Sequence, residues 1–239
     1  MSITNALGAA TDPEAGLEPA RVKVEQVKND PEVRELIDLA DAYLNAIGYT
    51  DHGIGHVARV AARASTILRD LGMPRREVEL ASIAGYLHDI GNVIHRHQHA
   101  QSSALLAFPI LQRMGMPLAE IAVVVQAISN HDEGVGEPVS NVAAALIIAD
   151  KSDVLRSRVR NPKMISFDIH DRVNYAVEKT ELFVDKDKHL VTLKLQVDTS
   201  ISQVIEYFEI FMTRMAVSRK GANFLNCDFR LVINEVILS

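Results

Sequence analysis

Residues 54–91 read IGHVARVAARASTILRDLGMPRREVELASIAGYLHDIG, and this stretch decides the fold. In its first half Val60, Ala64, Ile67 and Leu71 recur at helical spacing, and Gly72 and Pro74 end the run. In its second half the run from Arg76 to about Ile90 carries Ala81 and Ala84 on one face and stops at Gly91. Two helices joined by a short break are predicted. His56 continues the first apolar stripe and His88 the second, so both imidazoles occupy positions where a core residue belongs.

The same reading extends outward. Asp30-Pro31 predicts a capped helix start, and Leu36, Leu39/Ala40, Tyr43/Leu44 and Ile47 continue it to Gly48. Further helices are expected over about 100–114, 117–130 and 140–156. Residues 1–30 are rich in Ala, Gly, Pro and Glu without a period and read as a mobile tail. After Asn161-Pro162 the pattern changes. RVNYAVEKTELFV (172–184) and HLVTLKLQV (189–197) alternate around a polar turn and predict a hairpin. A helix over about 201–219 and a strand in FRLVINEVIL (229–238) follow. The expected fold is mainly α: a helical bundle over 31–160, with a small C-terminal α+β (β-β-α-β) unit over 161–239.

Composition narrows the function. The chain has 239 residues, 25 Lys plus Arg and 31 Asp plus Glu, a net charge of −6. This acidic balance argues against broad nucleic-acid binding. The single Cys, Cys227, rules out an internal disulfide and a Cys-based zinc site, and fits a cytoplasmic setting. No run of 18 apolar residues is present, so no membrane partner is expected, and the first 20 residues lack the pattern of a signal peptide. Seven of the nine His fall between His52 and His131.

Those His share their helices with acids. His131 continues Val124 and Ala127, and Asp150 continues Ala143, Leu146 and Ile147. Asp89 follows His88 and is turned about 100° from it on a helix, with Gly85 one turn earlier to leave room beside its carboxylate. Four helices thus each point a His or an Asp toward one interior. A buried carboxylate is costly unless it is paired or metal-bound, and imidazole with carboxylate suits divalent transition metals. For one such His alone, a hydrogen-bonded core position is the simpler account; for the whole set a metal site is.

The order His56 … His88-Asp89 … Asp150, in the words HVARVAARA, YLHDIGN and IIADKSD, resembles the H…HD…D signature of the HD superfamily of metal-dependent phosphohydrolases. HAQSSALL at His99 and AISNHDEG at His131 resemble the two extra His of its two-metal branch. The resemblance covers about 31–160. It implies one metal on His56, His88, Asp89 and Asp150, and a second on His99 and His131 with Asp89 as bridge. It implies one or two divalent ions (Mn, Fe, Ni, Co or Zn, with Mg admitted) and a metal-activated hydroxide that attacks phosphorus. His95 competes with His99 as ligand, and His52 stands at the cleft mouth. His97, His170 and His189 receive no role. Lys151 is expected to stabilise developing charge as well as to bind substrate, with Arg156, Arg59 and His52 as further substrate contacts. Arg158 and Arg160 belong to the same basic segment.

The acidic residues that mark alarmone hydrolases do not follow His88-Asp89, and no Gly-Tyr-Pro motif is present. The chain is most similar to small bacterial HD proteins that include symmetrical diadenosine tetraphosphate hydrolases. The expected substrate is a nucleotide or another small phosphorylated metabolite. The alternative is a regulatory or ligand-binding HD module, homodimeric through its C-terminal unit, whose edge strands invite pairing. HD-type di-iron oxygenase chemistry is a third reading that no residue selects.

Overall fold

Helix α1 (Val24–Asn29) and helix α2 (Pro31–Ala46) meet at Asp30, whose side chain accepts from the Val33 amide and caps α2. The computed structural model describes residues 21–134, 136–166 and 168–238. The tail expected over 1–30 is therefore corrected: residues 1–20 lie outside the described residues, and the chain is structured from 21 onward. Val22 and Val27 are buried, and Arg76 donates to the Val22 carbonyl at 2.7 Å. Three valines at 22, 24 and 27 give this segment an apolar side, which the Ala- and Glu-rich composition around it hid.

Helices α3 (Ile54–Asp70) and α4 (Arg75–Leu87) form the central pair. Gly85 sets their approach: a Cβ there would stand 2.7 Å from Ala61 Cα and 2.9 Å from Ala61 N. The glycine therefore serves helix–helix packing, and the room it was expected to leave beside Asp89 is taken by α3. A 3₁₀ turn (Ile90–Val93) leads to α5 (His99–Arg113), followed by α6 (Leu118–Ser129) and α7 (Asn141–Lys151). Ser140 caps α7 through the Ala143 amide at 3.1 Å. Every residue of α7 from Val142 to Lys151 is buried, so α7 is the axial helix of the bundle.

Helix α7 ends five residues before the expected Arg156, which instead opens a separate 3₁₀ turn (Arg156–Arg158). Arg158 causes the break. Its guanidinium donates to the carbonyls of Asp153 (2.7 Å) and Asp51 (3.0 Å), while its own carbonyl accepts from Asp51 N (2.8 Å). This ties the chain back across the entrance to α3.

The C-terminal part contains α8 (Ile169–Ala176), β1 (Val177–Asp185), β2 (Leu190–Val197), α9 (Val204–Phe224), β3 (Asp228–Ile233) and β4 (Val236–Ile237). The sheet order is β1-β2-β3-β4, with β2 and β3 parallel across the α9 crossover and the outer pairs antiparallel. The first strand begins at Val177, not near Arg172. Val173, Ala176 and Val177 are buried at three- and four-residue spacing, and Asp168 caps α8 through the His170 amide, so helical burial wins over the apparent alternation. Val191, Leu193, Leu195 and Val197 alternate inward along β2. Gly221 of α9 lies against α7, where a Cβ would be 3.1 Å from Ala144 O. No helix among the described residues is long and apolar enough to cross a membrane.

Candidate metal centre

Five chain segments deliver the ligand-type residues. His56 lies in the first turn of α3, His88 closes α4, and Asp89 follows it at the entry of the 3₁₀ turn. His99 opens α5, His131 follows the end of α6, and Asp150 sits in the last turn of α7. All are buried, His56 and His88 completely.

Asp89 stands at the middle, and its two oxygens face different partners. Oδ2 lies 3.5 Å from His56 Nε2 and 3.3 Å from His88 Nε2. Oδ1 lies 3.4 Å from His99 Nε2 and 4.0 Å from His131 Nε2. Asp150 Oδ1 joins the first group, 3.4 Å from His56 Nε2 and 3.5 Å from His88 Nε2. His56, His88 and Asp150 form one set of ligand atoms close enough to share an ion, and His88, Asp89 and His131 another.

The outward ring nitrogens fix the tautomers. Nδ1 of His88 meets the Gly85 carbonyl at 2.8 Å, that of His99 the Arg96 carbonyl at 3.0 Å, and that of His131 the Ile128 carbonyl at 2.6 Å. A carbonyl only accepts, so each Nδ1 carries hydrogen and, in the neutral ring, each Nε2 presents a bare lone pair. His56 Nδ1 does the same toward Asp153 Oδ2 at 2.7 Å. The Nε2 atoms of His99 and His131 then face each other at 3.1 Å, and those of His56 and His88 at 3.3 Å. Two lone pairs cannot hydrogen-bond each other, and a divalent cation between the rings of either pair would satisfy both. The donor set fits one or two divalent metals of the nitrogen- and oxygen-loving kind.

Electrostatics agree with a site built for positive charge. Burial alone would raise the carboxyls of Asp89 and Asp150, but His88 beside the first and Lys151 beside the second hold both well below the usual range. Burial opposes charge on His88 too, yet Asp89 and Asp150 outweigh it and push the ring up to about 10. A proton on His88 and a metal ion at the same place perform the same task, giving two buried carboxylates a positive neighbour. Burial, with the nearby His88 charge, keeps His131 well below its ordinary value and therefore neutral.

The basic residues expected at the substrate are placed differently. Arg59 grips Asp153 with two hydrogen bonds, 2.9 and 3.1 Å. Lys151 is buried between Asp150 Oδ2 (2.7 Å) and Glu133. Arg156 turns to the C-terminal part, donating to the Tyr175 carbonyl at 2.6 Å and lying over the Tyr175 ring; it is not brought to the cluster. Its neighbour Glu178, 3.5 Å away, explains the direction. His52 does reach the cluster edge, its ring centroid 5.3 Å from that of His56, with its amide held by Asp41. His95 is exposed and its Nδ1 accepts from His97 N, so His99 is the one beside Asp89. Sequence reasoning missed Asp153, Asn92 and Arg96. Asp153 was visible only as the acid one turn after Asp150, and Asn92 as the residue three after Asp89, whose Oδ1 it meets at 2.9 Å.

Residues 53–155 match the HD domain family. This segment is similar to an HD domain. A crystal structure of a predicted HD superfamily hydrolase from an uncultured Thermotogales bacterium is similar to 55% of this chain and 74% of that one, at 27% identity and a TM-score of 0.41. No curated protein is significantly similar to the chain. The match begins at the N-cap of α3 and ends just past α7, so the matched segment contains all six residues of the cluster. The clustered His and Asp of this segment could hold a metal ion.

Proposed function

We propose that this HD domain is a metal-dependent phosphohydrolase that binds two divalent cations and cleaves a phosphoester of a nucleotide or another small phosphorylated metabolite. His56, His88 and Asp150 would hold one ion and His99 and His131 the other, with the Asp89 carboxylate available to both. The observation that carries the reading is the split carboxylate of Asp89, with Oδ2 toward His56 and His88 and Oδ1 toward His99. When bound, the cations supply Lewis acidity toward the phosphoryl group and a water of lowered pKa.

The chain's own residues do the rest by position. Asp153 and the Gly85, Arg96 and Ile128 carbonyls keep the Nε2 lone pairs aimed inward. Lys151 steadies Asp150 from the side away from the His rings. His52, held by Asp41 and Thr50, borders the cluster where a substrate would enter. In this reading Lys151 and Arg59 are positioning residues, and the HD bundle is a cytoplasmic catalytic unit to which the C-terminal strands and helix are attached.

The test is a hydrolysis screen of phosphorylated metabolites with Mn, Fe, Co, Ni and Mg supplied in turn, run beside Asp89→Ala. Metal-dependent phosphate release that vanishes in the variant is the expected result. Turnover unaffected by Asp89→Ala, or no turnover with any metal, sinks the proposal.

A further inference from the structure

The geometry points to Arg96 as an anion anchor of this centre: its guanidinium receives a phosphoryl oxygen of the ligand bound at His99 and His131. The inference rests on the metal-dependent phosphohydrolase reading and gives a role to a side chain of which that reading uses only the backbone carbonyl.

The argument starts from where positive charge is already spent. Arg59, Arg63 and Arg158 all surround the Asp153 carboxylate, within 4.0 Å of it. Lys151 is held by Asp150 and Glu133, and Arg160 by Asp41. None of these has a free charge to offer an incoming anion. Arg96 differs. Its Nη1 is 3.4 Å from His99 Nε2 and 3.5 Å from Asn92 Oδ1, and among the described residues no carboxylate lies within 4.0 Å of its guanidinium. It is half-buried, so it is open to a ligand from outside.

Its orientation is supported as well. The guanidinium carbon sits 5.3 Å from the centroid of the exposed Tyr49 ring, a cation–π contact that holds a long side chain without neutralising it. Arg96 also lends its own carbonyl to His99 Nδ1 at 3.0 Å, so the anchor and the ligand ring belong to one turn. A divalent ion on His99 and a guanidinium aimed at the same nitrogen repel each other unless an anion stands between them. A phosphoryl oxygen meets both demands. The planar fork suits phosphate better than an ammonium group does.

The experiment is calorimetric titration of the Mn²⁺-loaded full chain with inorganic phosphate, for wild type, Arg96→Gln, Arg96→Lys, Tyr49→Ala and Tyr49→Phe, with bound metal and Tm measured on each. A charge-assisted hydrogen bond of this kind predicts phosphate binding weakened about tenfold or more in Arg96→Gln. Partial retention is expected in Arg96→Lys, weakening in Tyr49→Ala, and recovery in Tyr49→Phe. Metal content should stay at the wild-type level throughout. Unchanged phosphate affinity in Arg96→Gln overturns the inference, and so does a loss that merely tracks lost metal. If Arg96→Gln does not fold, Arg96→Lys and the Tyr49 pair decide by the same readings. Wild type that binds phosphate through Arg96 yet hydrolyses nothing leaves the anchor standing and removes the hydrolase reading. Wild type that binds no phosphate overturns both.

Discussion

Asp153 Oδ2 lies 2.7 Å from His56 Nδ1, and the same carboxylate, fully buried, takes two hydrogen bonds from Arg59. Its carboxylate meets the cluster at His56 Nδ1, and so determines which nitrogen of His56 faces the other ligand-type residues. Burial would raise its carboxyl, but hydrogen bonds from His56 and Arg59 and the Arg158 charge hold it far below the carboxylate range.

Asp153→Asn keeps the shape and removes the charge. Loss of such an outer partner typically lowers metal affinity about 10–100-fold. We expect that reduction in a metal titration, with the helical circular dichroism signal kept. Wild-type metal affinity in Asp153→Asn would show that Asp153 only braces the arginines.

Metal itself should stabilise the fold. A ligand at 100 times its Kd adds about 2.7 kcal/mol, so saturating Mn²⁺ or Co²⁺ is expected to raise Tm by several degrees, and a chelator to reverse it. His88→Ala and Asp89→Ala should abolish the rise. A Tm indifferent to every transition metal would contradict the metal centre.

Lys151 separates positioning from direct catalysis. Removing it takes the lysine charge from buried Asp150 and leaves half-buried Glu133 to Arg214 alone, and breaking a buried pair of this kind costs up to about 3–5 kcal/mol. Lys151→Ala should therefore lower stability and metal affinity together. A variant with normal Tm and metal content but collapsed turnover would return Lys151 to the role of stabilising charge on the substrate.

Gly85→Ala tests the α3–α4 seam. Its methyl group would meet Ala61 backbone at 2.7 Å, so the helices must part. Overpacking of this kind costs about 1–3 kcal/mol, and because His56 and His88 ride on the two helices, weaker metal binding should accompany the loss. Chemical denaturation and metal titration read the two effects. A neutral substitution would mean that the helices separate freely.

Glu206 gives the pH dependence of the C-terminal part. Hydrogen bonds from Arg172 and Ser202 lower its carboxyl to about 2 from an ordinary 4.5. A depressed acid stabilises the fold above its unfolded value and loses that contribution as pH falls through its folded one. Wild type should thus exceed Glu206→Gln in Tm at pH 6, and the gap should close between pH 4.5 and about 2. A constant gap across that range would show that the charge is irrelevant to the start of α9.

The bundle was legible because α3 and α4 write their buried faces in plain helical spacing, with breakers at Gly72, Pro74 and Gly91. The ligand-type residues were legible for the same reason: a His or Asp in an apolar stripe must point inward. Less was readable where an interaction came from far along the chain. The end of α7 depends on Arg158 reaching Asp51, 107 residues away, and the first strand's start depends on the buried face of α8. The basic segment after Asp150 suggested substrate contacts because charge counts do not show partners. The acids that claim Lys151, Arg156 and Arg160, namely Glu133, Glu178 and Asp41, come from three separate segments.

By itself, the sequence determined a helical domain with an inward set of His56, His88, Asp89 and Asp150, since hydrophobic period fixes which way each helix faces. It also determined a nitrogen and oxygen donor set, since Cys227 is the lone thiol. Only the tertiary structure decided that Asp89 divides its two oxygens between two groups of imidazoles. Only it decided that Asp153 orients His56 and that Arg96 reaches His99 with no carboxylate beside it among the described residues. The reason is range: helix facing is a local property of neighbouring residues, whereas hydrogen-bond and charge partners are settled by which distant segments the packed core brings within about 3 Å.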